Sequence, residues 1–217
     1  MKIFDLTHMI SQDMPVYPGT EKPLFTVANT HENDGFTEKR MEMYSHTGTH
    51  IDAPFHILSH GKPLNEYTID KFIGRGIILH VDEIIGHDIN ISHIEHEEER
   101  IRKCDFVILK TGWSKYWGKK KYFNNYPCLT EESAAWLSQF DLKGIGVDTI
   151  SVDPIETKDF SNHRIFMKKD MIIVENLCYL DDIANEQFLL VVVPLKIENS
   201  DGSPIRAIAI TNEEDFF

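Results

Sequence analysis

Cysteine is scarce in this chain of 217 residues: Cys104, Cys128 and Cys178 stand singly, and none forms a Cys-x-x-Cys pair. An odd, scattered set excludes a disulfide framework as the organising device. None of the three has a convincing neighbouring base in sequence, so they read as inert thiols. Apolar runs are short, and none approaches the roughly 20 residues that a membrane-spanning helix requires. The start, Met1-Lys-Ile-Phe-Asp5, lacks the apolar core of a secretory signal. These absences together predict a cytoplasmic protein that neither enters nor crosses a membrane. Basic residues are also outnumbered, 22 against 35 acids, for a net charge of −13. A surface of that sign repels phosphate backbones and argues against a nucleic acid partner. Several catalytic spellings are missing as well. There is no Gly-x-Ser-x-Gly elbow, no phosphate-binding Gly-x-x-x-x-Gly-Lys loop and no His-Glu-x-x-His helix, and Gly74-Arg-Gly76 and Gly144-Ile-Gly146 lack the third glycine of a dinucleotide site.

What is present suits a folded chain. Hydrophobic residues make up 41% and charged residues 26%, an ordinary globular balance. With no internal repeat and no Gly/Ser linker, a single domain over 1–217 is expected. Short β-branched runs bounded by turn formers predict strands at Gly76–Val81, Asp105–Thr111, Gly144–Val147, Met171–Val174, Phe188–Val193 and Ile205–Ile210. Thr130 reads as the N-cap of a helix, with Glu131 and Glu132 at the positive end of its dipole and Ala134, Leu137 and Phe140 on one face. The charged run His93–Arg100 reads as a short surface helix. The expected fold class is α/β, or α+β, with a substantial mixed sheet.

Histidine is uncommon, yet three fall between His46 and His56 in His46-Thr-Gly-Thr-His50-Ile-Asp52-Ala-Pro-Phe-His56. In an extended segment, residues of one parity share a face. His46, Gly48, His50 and Asp52 would then line one side, with Gly48 leaving space between the imidazoles. A helix would also bring His46 and His50 together, but Thr47-Gly48-Thr49 is poor helix material and Pro54 ends a helix soon after. Two imidazoles and a carboxylate form a zinc or manganese set. His56 follows Pro54, where the parity breaks, so it is expected to face substrate as a general acid/base.

This segment resembles the hallmark His-x-Gly-Thr/Ala-His-x-Asp-x-Pro-x-His of the metal-dependent cyclase/hydrolase family that includes bacterial kynurenine formamidases. The resemblance extends over nearly the whole chain. It includes Pro15-Val-Tyr17-Pro-Gly19, Lys110-Thr-Gly-Trp-Ser114, Gly146-Val-Asp-Thr-Ile-Ser-Val-Asp153, and His163 followed twelve positions later by Glu175. It implies a swivelling, barrel-like mixed β-sheet flanked by helices, and a homodimer or larger homo-oligomer. It implies two ions, zinc or manganese: one held by His46, His50 and Asp52, the second by Asp52 as a bridge with His163 and Glu175. His56 would be the catalytic acid/base. Tyr17 would cap the substrate where formamidases of the family often carry tryptophan, a departure that bears on the substrate.

The activity implied is hydrolysis of a small amide, with N-formylkynurenine the foremost candidate. Ring-opening of a cyclic amide or lactone, a biosynthetic cyclase or dehydratase, and a metal-binding protein without turnover are the alternatives. The aromatic cluster Trp113, Tyr116 and Trp117 reads chiefly as packing.

Overall fold

The β-branched runs of the sequence form the middle of a nine-stranded sheet, in a computed structural model that describes residues 1–82, 87–183 and 187–212. In chain order the strands are β1 (Lys2–Asp5), β2 (Leu24–Asn29), β3 (Glu38–Glu42), β4 (His50–Asp52), β5 (Ile73–His80), β6 (Asp88–Ile89), β7 (Phe106–Lys110), β8 (Cys128–Leu129), β9 (Gly144–Val147), β10 (Ile172–Glu175), β11 (Phe188–Val191), β12 (Gly202–Pro204) and β13 (Ile208–Thr211). The helices are short: α1 (His31–Asp34), α2 (Glu98–Ile101), α3 (Glu131–Leu137) and α4 (Ser161–Met167). None of the described helices is long and apolar enough to cross a membrane.

The sheet order is β1-β13-β11-β5-β7-β9-β10-β4-β12. The contacts β5–β7, β7–β9 and β9–β10 are parallel and the others antiparallel. Central parallel strands are covered on both faces and therefore read as continuous apolar runs. In β7, Val107 and Leu109 pack on one face with Ala134 and Leu137 of α3 and Phe166 of α4, while Phe106 and Ile108 pack on the other with Ile51, Leu190 and Ala209. Thr130 caps α3, its side chain accepting from the Ser133 amide.

The sheet must curl. β12 and β13 lie seven strand positions apart in the order, which in a flat sheet is about 34 Å. The chain joins them through only Ile205, Arg206 and Ala207, a link of at most about 14 Å. Further bonds close the curl: Leu6 donates its amide to the Ala207 carbonyl (2.9 Å), and Cys178 donates to that of Leu6 (3.1 Å).

The expected strand Ile205–Ile210 is thus formed only from Ile208, as β13: Ile205 makes an isolated antiparallel bridge to Pro194, and Arg206 and Ala207 belong to the link between β12 and β13. The expected helix over His93–Arg100 is also broken, into 3₁₀ turns at Ile91–His93 and Glu95–Glu97 followed by α2. Its Ile94 and Ile101 are nonetheless buried, as the apolar spacing requires. β2 and β3 form a separate ribbon, and Leu24, Val27 and Met41 on it are exposed. Trp113 belongs to a small satellite core with Tyr122, Tyr126 and Ile150, against which Tyr116 and Trp117 pack.

Candidate metal centre

The segment His46–His56 is not one extended strand. Gly48 has φ +66°, and only His50–Asp52 is paired as β4. A Cβ at Gly48 would meet Ile10 at 3.2 Å rather than an imidazole. The glycine is therefore required by a left-handed turn, which folds His46 back toward the strand; it is not a spacer between two rings. Pro54 then starts a 3₁₀ turn, Pro54–His56, which places His56 off the strand line.

β4 runs antiparallel to β10, with Glu175 opposite His50 and Ile173 opposite Asp52. Cross-strand partners share a face, so Glu175, His50 and Asp52 converge while Ile51 enters the core on the other side. His163 arrives from α4. Asp153 accepts the amides of Asn162 (2.8 Å) and His163 (3.2 Å) at the start of this helix, and its Oδ2 is 2.6 Å from His163 Nδ1. His50 is oriented by its Nδ1, which donates to the Gly48 carbonyl at 2.8 Å. In both residues Nε2 is left aimed at the carboxylates, which is how metal-ligating histidines are commonly supported from behind.

Three overlapping donor sets result among the described residues: His46, His50 and Asp52; Asp52, His163 and Glu175; and, less buried and without Asp52, His46, His56 and Asp201. Asp52 Oδ1 lies 2.6 Å from His46 Nδ1 and 3.2 Å from His50 Nε2. On the other side His163 Nε2 is 3.5 Å from Asp52 Oδ2 and 3.4 Å from Glu175 Oε1. Asp52 Oδ2 is buried and accepts no hydrogen bond. An unpartnered buried carboxylate oxygen is costly. Donors each about 2.1 Å from a common ion lie about 3.0–3.4 Å apart, close to most of these spacings. The residues therefore fit a divalent cation on either side of Asp52.

Electrostatics point the same way. Burial alone would discharge His46 and His163, but the surrounding acids raise His163 well above its usual value, and Asp52 and Asp201 raise His46 to about 10. Burial likewise opposes the Asp52 charge, yet His50 and His46 hold that carboxyl well below the ordinary range. The cluster is a concentration of negative charge that wants cations. The cysteines lie elsewhere in this balance: burial pushes Cys104 and Cys178 up to about 12.

Above the donors is a cleft of about 350 Å³ whose wall includes Tyr17, Tyr44, His56, Ser151 and Phe160. Tyr17 donates its hydroxyl to the Ile155 carbonyl at 3.2 Å, leaving the ring as wall. Phe160 holds φ +51°, a strained value for a bulky residue, at the N-cap of the helix that carries His163. His56 is part-exposed, and its ring lies 3.9 Å from that of His46.

All seven residues singled out in the sequence thus meet at one place. Sequence reasoning missed Asp201, whose Oδ2 is 2.9 Å from His46 Nε2 and 3.5 Å from His56 Nδ1. Hydrogen bonds from His46 first, then His56, hold its carboxyl far below the usual range. Asp201-Gly202 spells a turn and nothing more. Asp153 was visible in its motif, but its contact with His163 was not.

Comparison with known proteins agrees with this geometry. Residues 4–154 match the family described as "Putative cyclase". The chain is 31% identical over 205 residues to the kynurenine formamidase of Bacillus mycoides (strain KBAB4), covering 94% of this chain and 95% of that one. It is 30% identical over 208 residues to that of Bacillus anthracis, covering 95% and 96%. Among solved structures it is similar to isatin hydrolase A from Labrenzia aggregata bound to benzyl benzoate, with TM-score 0.87, 25% identity and coverage of 97% and 94%. It is also similar to a structure described as a potential metal-dependent hydrolase with cyclase activity, with TM-score 0.82, 26% identity and coverage of 98% and 99%.

Proposed function

We propose that this chain, which belongs to the cyclase family, is a metal-dependent hydrolase of small amides whose nitrogen is attached to an aromatic ring. The observation that carries the reading is the buried acid–imidazole floor, with Asp52 Oδ2 unpartnered, beneath the aromatic wall of Tyr17, Tyr44 and Phe160. The relatives support the bond type. N-formylkynurenine and isatin differ in shape, but each contains an N-aryl amide.

In this reading His46, His50 and Asp52 hold one ion and Asp52, His163 and Glu175 a second. Zinc and manganese both suit such a nitrogen and oxygen set. Ions bound there supply Lewis-acid polarisation of the amide carbonyl and a water that ionises near neutral pH. The protein's own part is positional. Asp153 and the Gly48 carbonyl fix the rings of His163 and His50, and the aromatic wall holds the aryl group and excludes water. His56 stands outside the two donor sets that share Asp52, part-exposed on the cleft side with Asp201. It relays a proton from the attacking water to the leaving nitrogen as the C–N bond breaks, giving an aryl amine and a carboxylic acid. The homodimer reading is supported by the β2–β3 ribbon, since an isolated two-stranded ribbon with exposed apolar residues is marginal in water.

N-formylkynurenine is the first substrate to test, on protein loaded with zinc or manganese beside a chelated control. Metal-dependent kcat/KM of about 10⁴ M⁻¹s⁻¹ or more would place it among working enzymes for that compound. A second reading, ring-opening of a cyclic amide, is favoured by the similarity to isatin hydrolase A and by Tyr17 in place of tryptophan. Turnover of isatin without turnover of N-formylkynurenine would select it. A metal-loaded protein inert toward both would sink the N-aryl amide assignment.

A further inference from the structure

Asp201 lies outside the five donors and is fixed by its backbone. Its carbonyl accepts the Ala53 amide at 2.8 Å, and the next residue, Gly202, is paired with Asp52 across β12 and β4. A Cβ on Gly202 would come within 2.5 Å of His46 Cε1. The Asp201-Gly202 step is thus a seat for the His46 ring: the glycine clears the space and the carboxylate meets Nε2 at 2.9 Å. The same oxygen is 3.5 Å from His56 Nδ1. A neutral imidazole carries one N–H. If that proton sits on His46 Nε2, facing Asp201, the Nδ1 lone pair is left for the donor set beside Asp52.

We infer that Asp201 is a positioning residue, selecting Nδ1 as the ligand atom of His46 and holding His56 beside it, so that one carboxylate couples the metal set to the proton-transfer group. The inference rests on the metal-dependent reading above.

The test is zinc affinity by chelator competition, with melting of the chelated protein and separate kcat and KM values, on wild type, Asp201→Ala, Asp201→Asn and Gly202→Ala. Asp201→Ala should bind zinc about 10–100-fold more weakly and lose kcat with little change in KM, while its chelated form melts with wild type. Asp201→Asn keeps an acceptor oxygen and should recover part of both losses, which a residue that only props the fold would not produce. Gly202→Ala keeps the carboxylate but displaces His46, and should also lose zinc. Wild-type zinc affinity in Asp201→Ala, or in Gly202→Ala, would overturn the inference while leaving the metal reading intact. A wild-type protein that takes up neither zinc nor manganese would remove the metal reading and this inference with it.

Discussion

Asp52 and Asp148 are equally buried, each 1% exposed, yet they have opposite surroundings. Asp148 accepts from the Thr111 amide (2.9 Å), the Thr111 hydroxyl (2.6 Å) and the Trp113 amide (3.1 Å). Burial pushes its carboxyl up, but every donor it needs comes from the chain itself. Its task is finished on folding: it ties the start of the Trp113 turn to the end of β9. Asp52 faces imidazoles at distances mostly suited to a shared ion, with one oxygen unpartnered. The difference teaches that a buried acid marks a site only when its partners are themselves ligand-type groups and its hydrogen bonding is incomplete.

The contrast can be broken at several points. Asp52→Asn should reduce activity to the chelated background and cut bound metal, measured by elemental analysis; full metal content would refute its bridging role. His56→Ala should lower kcat about 10²–10⁴-fold while metal content stays at wild type; loss of metal would make His56 a ligand.

His8 offers a third case. Its Nε2 is also buried and unpartnered, but its ring lies flat on Trp117, 3.9 Å between centroids, away from any donor set. Burial lowers its pKa from 6.5 to about 4. The unfolded chain therefore takes up the proton first. Stability should fall as pH drops below about 6.5 and level off near 4, with about 2 kcal/mol lost by pH 5. His8→Phe keeps the stack and should remove that component. Equal pH dependence of urea unfolding in both chelated proteins would refute it. Asp148→Asn should cost about 1–3 kcal/mol of stability with metal content unchanged; loss of metal there would erase the distinction between the two aspartates.

Much of the fold was legible because central parallel strands must be apolar throughout. Phe106–Lys110 and Gly144–Val147 therefore announce themselves, as does the Thr130 cap. The geometry within His46–Asp52 was misread. Parity describes an ideal strand, and a single left-handed residue at Gly48 overrides it. The broken helix near His93 shows the same limit: apolar spacing reports which side is buried, not whether the backbone keeps one helical repeat.

The sequence by itself determined the donor chemistry of the hallmark segment and, through family resemblance, His163 and Glu175. Only the tertiary structure decided that Glu175 faces His50, because that depends on the register of β10 against β4, two strands more than a hundred residues apart. It alone placed Asp153 behind His163 and Asp201 between His46 and His56. Local spacing carries no information about such contacts; the pairing of β4 with β10 on one side and β12 on the other brings Glu175 and the Asp201-Gly202 step to the donors.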